Sequence, residues 1–205
     1  MKKIILTTLA AGVLSLGLIG QSAIADEAKG GEIISVDKNF ASPIISLSGY
    51  KKVYIKDLDV TYADIISPPW IEKENFHWKL NEGNLAFLKE RFQKGVRNGL
   101  TENSGRYKIV EKPGKGVLIV DVEIISFMPY ALKEDTQAET KGAGEFHLSV
   151  QLRDGKSKSL IHIFEATQVI GNDYQPNTNM ARAASAKELF NAWGKSLRKT
   201  LDKAN

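Results

Sequence analysis

The amino-acid sequence predicts an α+β fold, a mostly antiparallel sheet of about five strands with two helices packed on one face, in the order strand, helix, four strands, helix. Three observations carry the prediction. Leu85, Leu88, Phe92, Val96 and Leu100 recur at steps of three and four residues, and so do Ala186, Phe190, Trp193, Leu197 and Leu201, each set forming one apolar stripe on a helix. Between them, Phe146, Leu148, Val150 and Leu152 alternate with Glu145, His147, Ser149, Gln151 and Arg153, which is the period of a strand with one buried face. The 205 residues are 42% hydrophobic and contain no Cys, enough apolar material for one ordinary core without disulfides.

Taken in order, Met1-Lys2-Lys3 reads as a positive n-region, Ile4 to Ile19 as an apolar stretch and Ala23-Ile24-Ala25 as a signal-peptidase site, so residues 1–25 are expected to be a cleaved signal peptide. The rival reading is an uncleaved anchor, which Thr7, Thr8, Ser15 and three glycines dilute. Cleavage before Asp26 would leave 26 Lys+Arg against 24 Asp+Glu, a net charge of +2, too small to point to nucleic acid. Residues 26–48, rich in Gly, Ser and Lys, are expected to form an extended lead-in, and residues 49–205 a single α+β domain.

The first strand alternates at Val53 and Ile55 and then slips by one residue to Leu58, Val60 and Tyr62, which calls for a bulge near Asp57. Ala63 to Lys79 contains Pro68-Pro69 and reads as a loop. Asn81 or Asn84 can cap the first helix. Gly95 and Gly99 inside it predict either close approach to the sheet or fraying before Gly105. Tyr107 to Glu111 is a short strand, Pro113 to Gly116 a turn, and Val117 to about Phe127 a central strand opening on four apolar residues. Ala131 to Gly144 reads as a mobile polar connection, Asp154 to Lys158 as a hairpin loop and Leu160 to Ile170 as the returning strand. The second helix, about Met180 to Lys203, can be capped by Thr178 or Asn179. The first strand should pair with a later strand rather than with its successor, because the first helix must cross over before the sheet resumes.

Chemistry is sparse. No Gly-x-Ser-x-Gly elbow presents a nucleophile, and Ser104 sits in an ordinary helix exit. His162 and Glu165 lie three apart on a strand and so face opposite ways, while His147 belongs to the wet face, where register could set it against Glu165. The glycines around Gly114 and Gly142 lead into strands and aim no helix terminus at an anion. Asp57 with Asp59 and Glu134 with Asp135 are paired only by spacing. No cofactor or metal is expected. The loop carrying Trp70, Ile71, Phe76 and Trp78 holds more aromatic mass than a solvent loop needs, and these four are the candidate partner-binding residues, with a satellite cluster folded on the core as the competing account.

Gly49-Tyr50-Lys51-Lys52-Val53-Tyr54-Ile55, the helix from Leu85 to Leu100, the strand Gly116 to Ile125 and the hairpin Gly144 to Ile170 together resemble the bacterial envelope proteins of domain-of-unknown-function family 3313, most of them lipoproteins, over residues 49–203. In strand and helix order the chain is also similar to small domains of envelope accessory proteins, such as the amino-terminal domain of TolB and curli-secretion lipoproteins. It departs from the usual member in lacking the lipid-bearing Cys, so it is not expected to be a lipoprotein. The resemblance implies a binding role and transfers no functional residue. The expectation is a periplasmic, non-catalytic binding or accessory module with an envelope protein as partner and no membrane span after signal cleavage. The alternative is a periplasmic small-ligand carrier or hydrolase with a pocket between the sheet and the aromatic loop. A third reading, attachment to an anionic membrane surface, rests on the precursor's pI of about 9.1.

Overall fold

Alternation and stripe are realised as two layers, in a computed structural model that describes residues 30–102 and 105–205. The signal-peptide reading and Ser104 lie outside the described residues. The strands are β1 (Ile33–Ala41), β2 (Lys52–Ile55), β3 (Asp64–Ile65), β4 (Lys108–Ile109), β5 (Val117–Pro129), β6 (Glu139–Lys141), β7 (Gly144–Asp154), β8 (Leu160–Val169) and β9 (Tyr174–Pro176). The helices are α1 (Glu82–Thr101) and α2 (Asn179–Ala204). Seven strands form the main sheet in the order β1-β8-β7-β5-β2-β4, with β3 also on β5, while β6 and β9 make a separate ribbon. The long pairings β1–β8, β8–β7 and β7–β5 are antiparallel, and β2 and β3 run parallel to β5.

The slip in the first strand is a bulge. Lys56 N donates to the Val120 carbonyl and Asp59 N to that of Val122, three residues against two, so Val53, Ile55, Leu58 and Val60 all stay buried. β2 pairs with the later strand β5 as expected, but, against expectation, also with its successor β4, because the crossover helix returns the chain to the outer edge of β2. The segment expected to be a lead-in contributes the edge strand β1, so the sheet begins before Gly49. Its signal is weak because an edge strand buries little, and two register shifts break its alternation. The polar connection after β5 is likewise held rather than loose. It carries β6, and the buried Asn177 donates from Nδ2 to the carbonyls of Leu132 and Asp135 at 2.7 and 2.9 Å.

Both helices cover one face of the sheet, where Val120, Val122 and Leu148 meet Phe92, Val96, Leu189 and Phe190. The other face carries Lys56, Asp121, His147 and Glu165. The glycines of α1 serve the second helix, not the sheet. A Cβ on Gly99 would stand 2.1 Å from the Asn191 carbonyl oxygen, and one on Gly194 would stand 2.3 Å from that of Val96. Gly95 faces Phe190 and Gly99 faces Gly194, so the contacts advance in the same sense and the helices run side by side with both N-termini at one end. Parallel macrodipoles then place two positive poles together. Asn81 and Asn84 cap α1 as a reciprocal capping box, and Thr178 caps α2.

Candidate functional site

The aromatic loop reaches this end of the molecule. Expected to be irregular, it carries β3 and a single 3-10 turn at Lys73–Asn75, and Pro68 is fully buried beneath it. Trp78 Nε1 donates to the Ala131 carbonyl at 2.8 Å and Trp70 Nε1 to that of Tyr130 at 3.2 Å. Consecutive carbonyls at the exit of β5 therefore fix both indoles. Their surroundings differ. Trp78 is half-buried, edge-on to Phe127 with centroids 5.5 Å apart, and packs against the core; Trp70 is 61% exposed beside the Tyr130 ring. Ile71 and Phe76 are half-buried. Trp78 therefore packs on the core, and Trp70 stands largely in solvent.

Between Trp78, the first turns of α1 and α2 and the ends of β5 and β7 lies a groove of about 370 Å³. Its apolar lining includes Leu88, Phe127, Phe146, Ile170 and Ala186, and its polar lining is Asn84, Asn179, Lys133 and Arg182. Both cations lie over the same ring, Arg182 Cζ 5.0 Å and Lys133 Nζ 5.8 Å from the Trp78 centroid. Arg182 Nη1 donates to the carbonyl and to the side-chain oxygen of Asn177, and Nη2 donates to Asn179 Oδ1 at 2.6 Å. All three acceptors are neutral. Burial pulls its guanidinium below the ordinary range, and only the exposed Glu134 opposes this. Among the described residues neither Arg182 nor Lys133 has a carboxylate within 4.0 Å.

Sequence reasoning singled out Trp78 and missed the two cations. Lys133 carries no local signal, since its place beside Trp78 depends on how the segment after β5 returns. Arg182 had one: it is the fourth residue after the Thr178 cap, in a helix whose first turn contains no acid.

The remaining sites resolve as structure. Register sets His147 against Thr167 and Glu165 against Ser149, so the expected pair is diagonal, with His147 Nε2 3.8 Å from Glu165 and 3.3 Å from Asp37. His162 Nε2 lies 2.9 Å from Asn39 Oδ1, and burial lowers its pKa. His77 is exposed. Asp59 accepts from Thr61 N at 2.9 Å, the main cause of its lowered pKa, and Asp135 accepts from Ala138 N at 3.1 Å, so each caps a turn. Among the described residues no group of three acidic, His or Cys side chains could hold a metal ion. A second, partly open pocket of about 120 Å³ lies between sheet and helices, lined mainly by apolar side chains such as Phe92, Val150, Phe164 and Trp193, with His162 and Gln168 among its polar ones. It is smaller than an engineered cavity of ~150 Å³ that holds benzene. No helix among the described residues is long and apolar enough to cross a membrane.

No protein-family model matches the chain, and neither does any curated protein. Solved structures similar to it include the PelC dodecamer from Paraburkholderia phytofirmans, 10% identical, over 80% of this chain and 96% of that chain, with a TM-score of 0.40. Protein XCC0632 from Xanthomonas campestris, of domain-of-unknown-function family 330, is 14% identical over 77% of this chain and 87% of its own, with a TM-score of 0.42. A Helicobacter pylori homologue of a neuraminyllactose-binding hemagglutinin is 12% identical over 77% and 87%, with a TM-score of 0.33. These likenesses are loose, and no residue role passes from them to this chain. The resemblance to family 3313 has no matching family model.

Proposed function

We propose that the chain is a non-catalytic binding module of the bacterial cell envelope, exported to the periplasm by its leader, whose contact surface joins the Trp78 groove to the exposed Trp70, the two indoles being held by consecutive carbonyls. The observation that carries this reading is the groove itself. At about 370 Å³ it falls within the size range of ligand sites, ~300–1,000 Å³, and joins aromatic lining to a few convergent polar groups. Those polar groups are two amides and two cations, which bind and orient but supply no nucleophile with its base.

The test compares wild type with Trp70→Ala, whose exposed ring contributes little to folding, in affinity capture from envelope extract. The variant should lose the captured component at an unchanged thermal midpoint. Equal capture by the two would overturn the assignment of the surface. Amino-terminal sequencing of the periplasmic protein should start at Asp26, and a start at Met1 would remove the export step. A small-ligand carrier is the second reading, favoured by the concavity of the same groove.

A further inference from the structure

We infer that the Trp78 groove takes a small amphiphile with one anionic head group, its apolar tail over Phe127, Phe146 and Ile170 and its head between Lys133 and Arg182. The inference rests on the groove being the contact surface, as proposed above, and names the chemical class of the occupant.

Charge complementarity decides the head. A guanidinium has five N–H donors; three bonds to neutral oxygens leave two of those on Arg182 without a protein partner among the described residues. Arg182 also stands near the positive pole of α2, where a cation is disfavoured and where, unlike the first turn of α1 with its Glu82, no acid offsets the pole. A partly buried cation at a positive helix end with no acid in contact is an arrangement that folding alone would select against. Lys133, also over the Trp78 ring, adds a second positive charge, whose polar partner among the described residues is the Lys79 carbonyl, at 3.5 Å. An anion between the two would supply the missing partner and offset the pole of α2. A carboxylate or a phosphate monoester satisfies this chemistry.

The lining decides the rest of the molecule. Below the cations the groove presents aromatic and aliphatic side chains, and an inorganic anion would leave that surface wet. The concavity fits a monomer better than a bilayer, which would meet the rim only.

The test uses the indole N–H resonances of the three tryptophans, with the Trp78 resonance identified in Trp78→Phe. Decanoate and decyl phosphate, kept below micelle formation, should shift the Trp78 resonance saturably. Arg182→Gln should weaken this by about tenfold or more, and Lys133→Gln by less. Lys133→Gln keeps the test decisive if the arginine variant folds poorly. Inorganic phosphate should bind far more weakly than decyl phosphate, and equal binding would remove the tail from the inference. Decyltrimethylammonium or decyl maltoside binding as tightly as decanoate would overturn the anionic head while leaving the groove a binding site. A shift produced only by anionic phospholipid vesicles would overturn the monomer. If no amphiphile moves Trp78 but Trp70→Ala still abolishes capture, the occupant is wrong and the contact surface stands; if capture is also unaffected, both fall.

Discussion

At the C-terminal end of the helix pair charges are matched, and at the N-terminal end they are not. Lys195 pairs with Glu102 at 2.8 Å, Arg198 donates to the Glu102 carbonyl where α1 ends, and Asp202 accepts from Arg106 at 2.8 Å and Tyr107 at 2.7 Å. Cations there also lie at the negative pole of α1, as the macrodipole favours. At the other end Arg182 stands near the positive pole of α2, and both it and Lys133 meet only neutral oxygens in the described residues and border an open groove. The same two helices are thus self-sufficient at one end and electrostatically incomplete at the other. It is this incompleteness that the proposed ligand would repair.

The way to break the closed end is through its glycines. Gly99→Ala or Gly194→Ala would press a Cβ into a backbone oxygen of the partner helix, an atom that cannot swing aside. Urea denaturation should show a loss of about 3 kcal/mol, the upper range of overpacking, with an unchanged m value. A loss below ~1 kcal/mol would mean the helices separate easily and do not anchor the fold. Gly114→Ala, where a Cβ meets open space, is the control and should be neutral or up to ~1 kcal/mol stabilising.

Asp202→Asn comes next, at about 1–2 kcal/mol, because it weakens charged hydrogen bonds to Arg106 and to the buried Tyr107. The same carboxyl makes this end acid-sensitive. The Tyr107 hydroxyl, then Arg106, hold its pKa below the ordinary 3.8, so its contribution is complete above about pH 4 and disappears as pH falls through the folded value. Amide exchange should therefore quicken at the ends of α1 and α2 below pH 4 in wild type, and much less so in Asp202→Asn. Equal acid responses in the two proteins would assign the loss to other groups.

How much of this was legible follows from what is local. The bulge near Asp57 showed as a broken period, the caps as Asn81, Asn84 and Thr178, and both helix stripes as spacing, because each signal lies within a few residues. β1 was not, since it is an edge strand with little buried surface, and the parallel order β4-β2-β5 depends on a crossover that no short window contains. Gly95 and Gly99 announced a close approach, but spacing within one helix points it at the sheet, and the partner is α2. Trp78 was legible as an aromatic in excess of need, whereas its meaning comes from Lys133 and Arg182, which reach it from two other segments.

Arg182→Gln should have the smallest effect on folding, and that smallness separates the two ends most sharply. The substitution gives up hydrogen bonds to Asn177 and Asn179, which would ordinarily cost about 1 kcal/mol each. Against that loss, it removes a cation that is partly desolvated, unneutralised and close to a positive helix pole, relieving penalties of comparable size. The midpoint in urea should then move by less than about 0.5 kcal/mol, several-fold less than Asp202→Asn at the opposite end. A loss of ~2 kcal/mol or more would show that Arg182 is a strut tying Asn177 and the segment after β5 to α2, and the groove would then owe its cation to folding. Near neutrality would leave binding as the reason for a charge that the folded chain does not itself require.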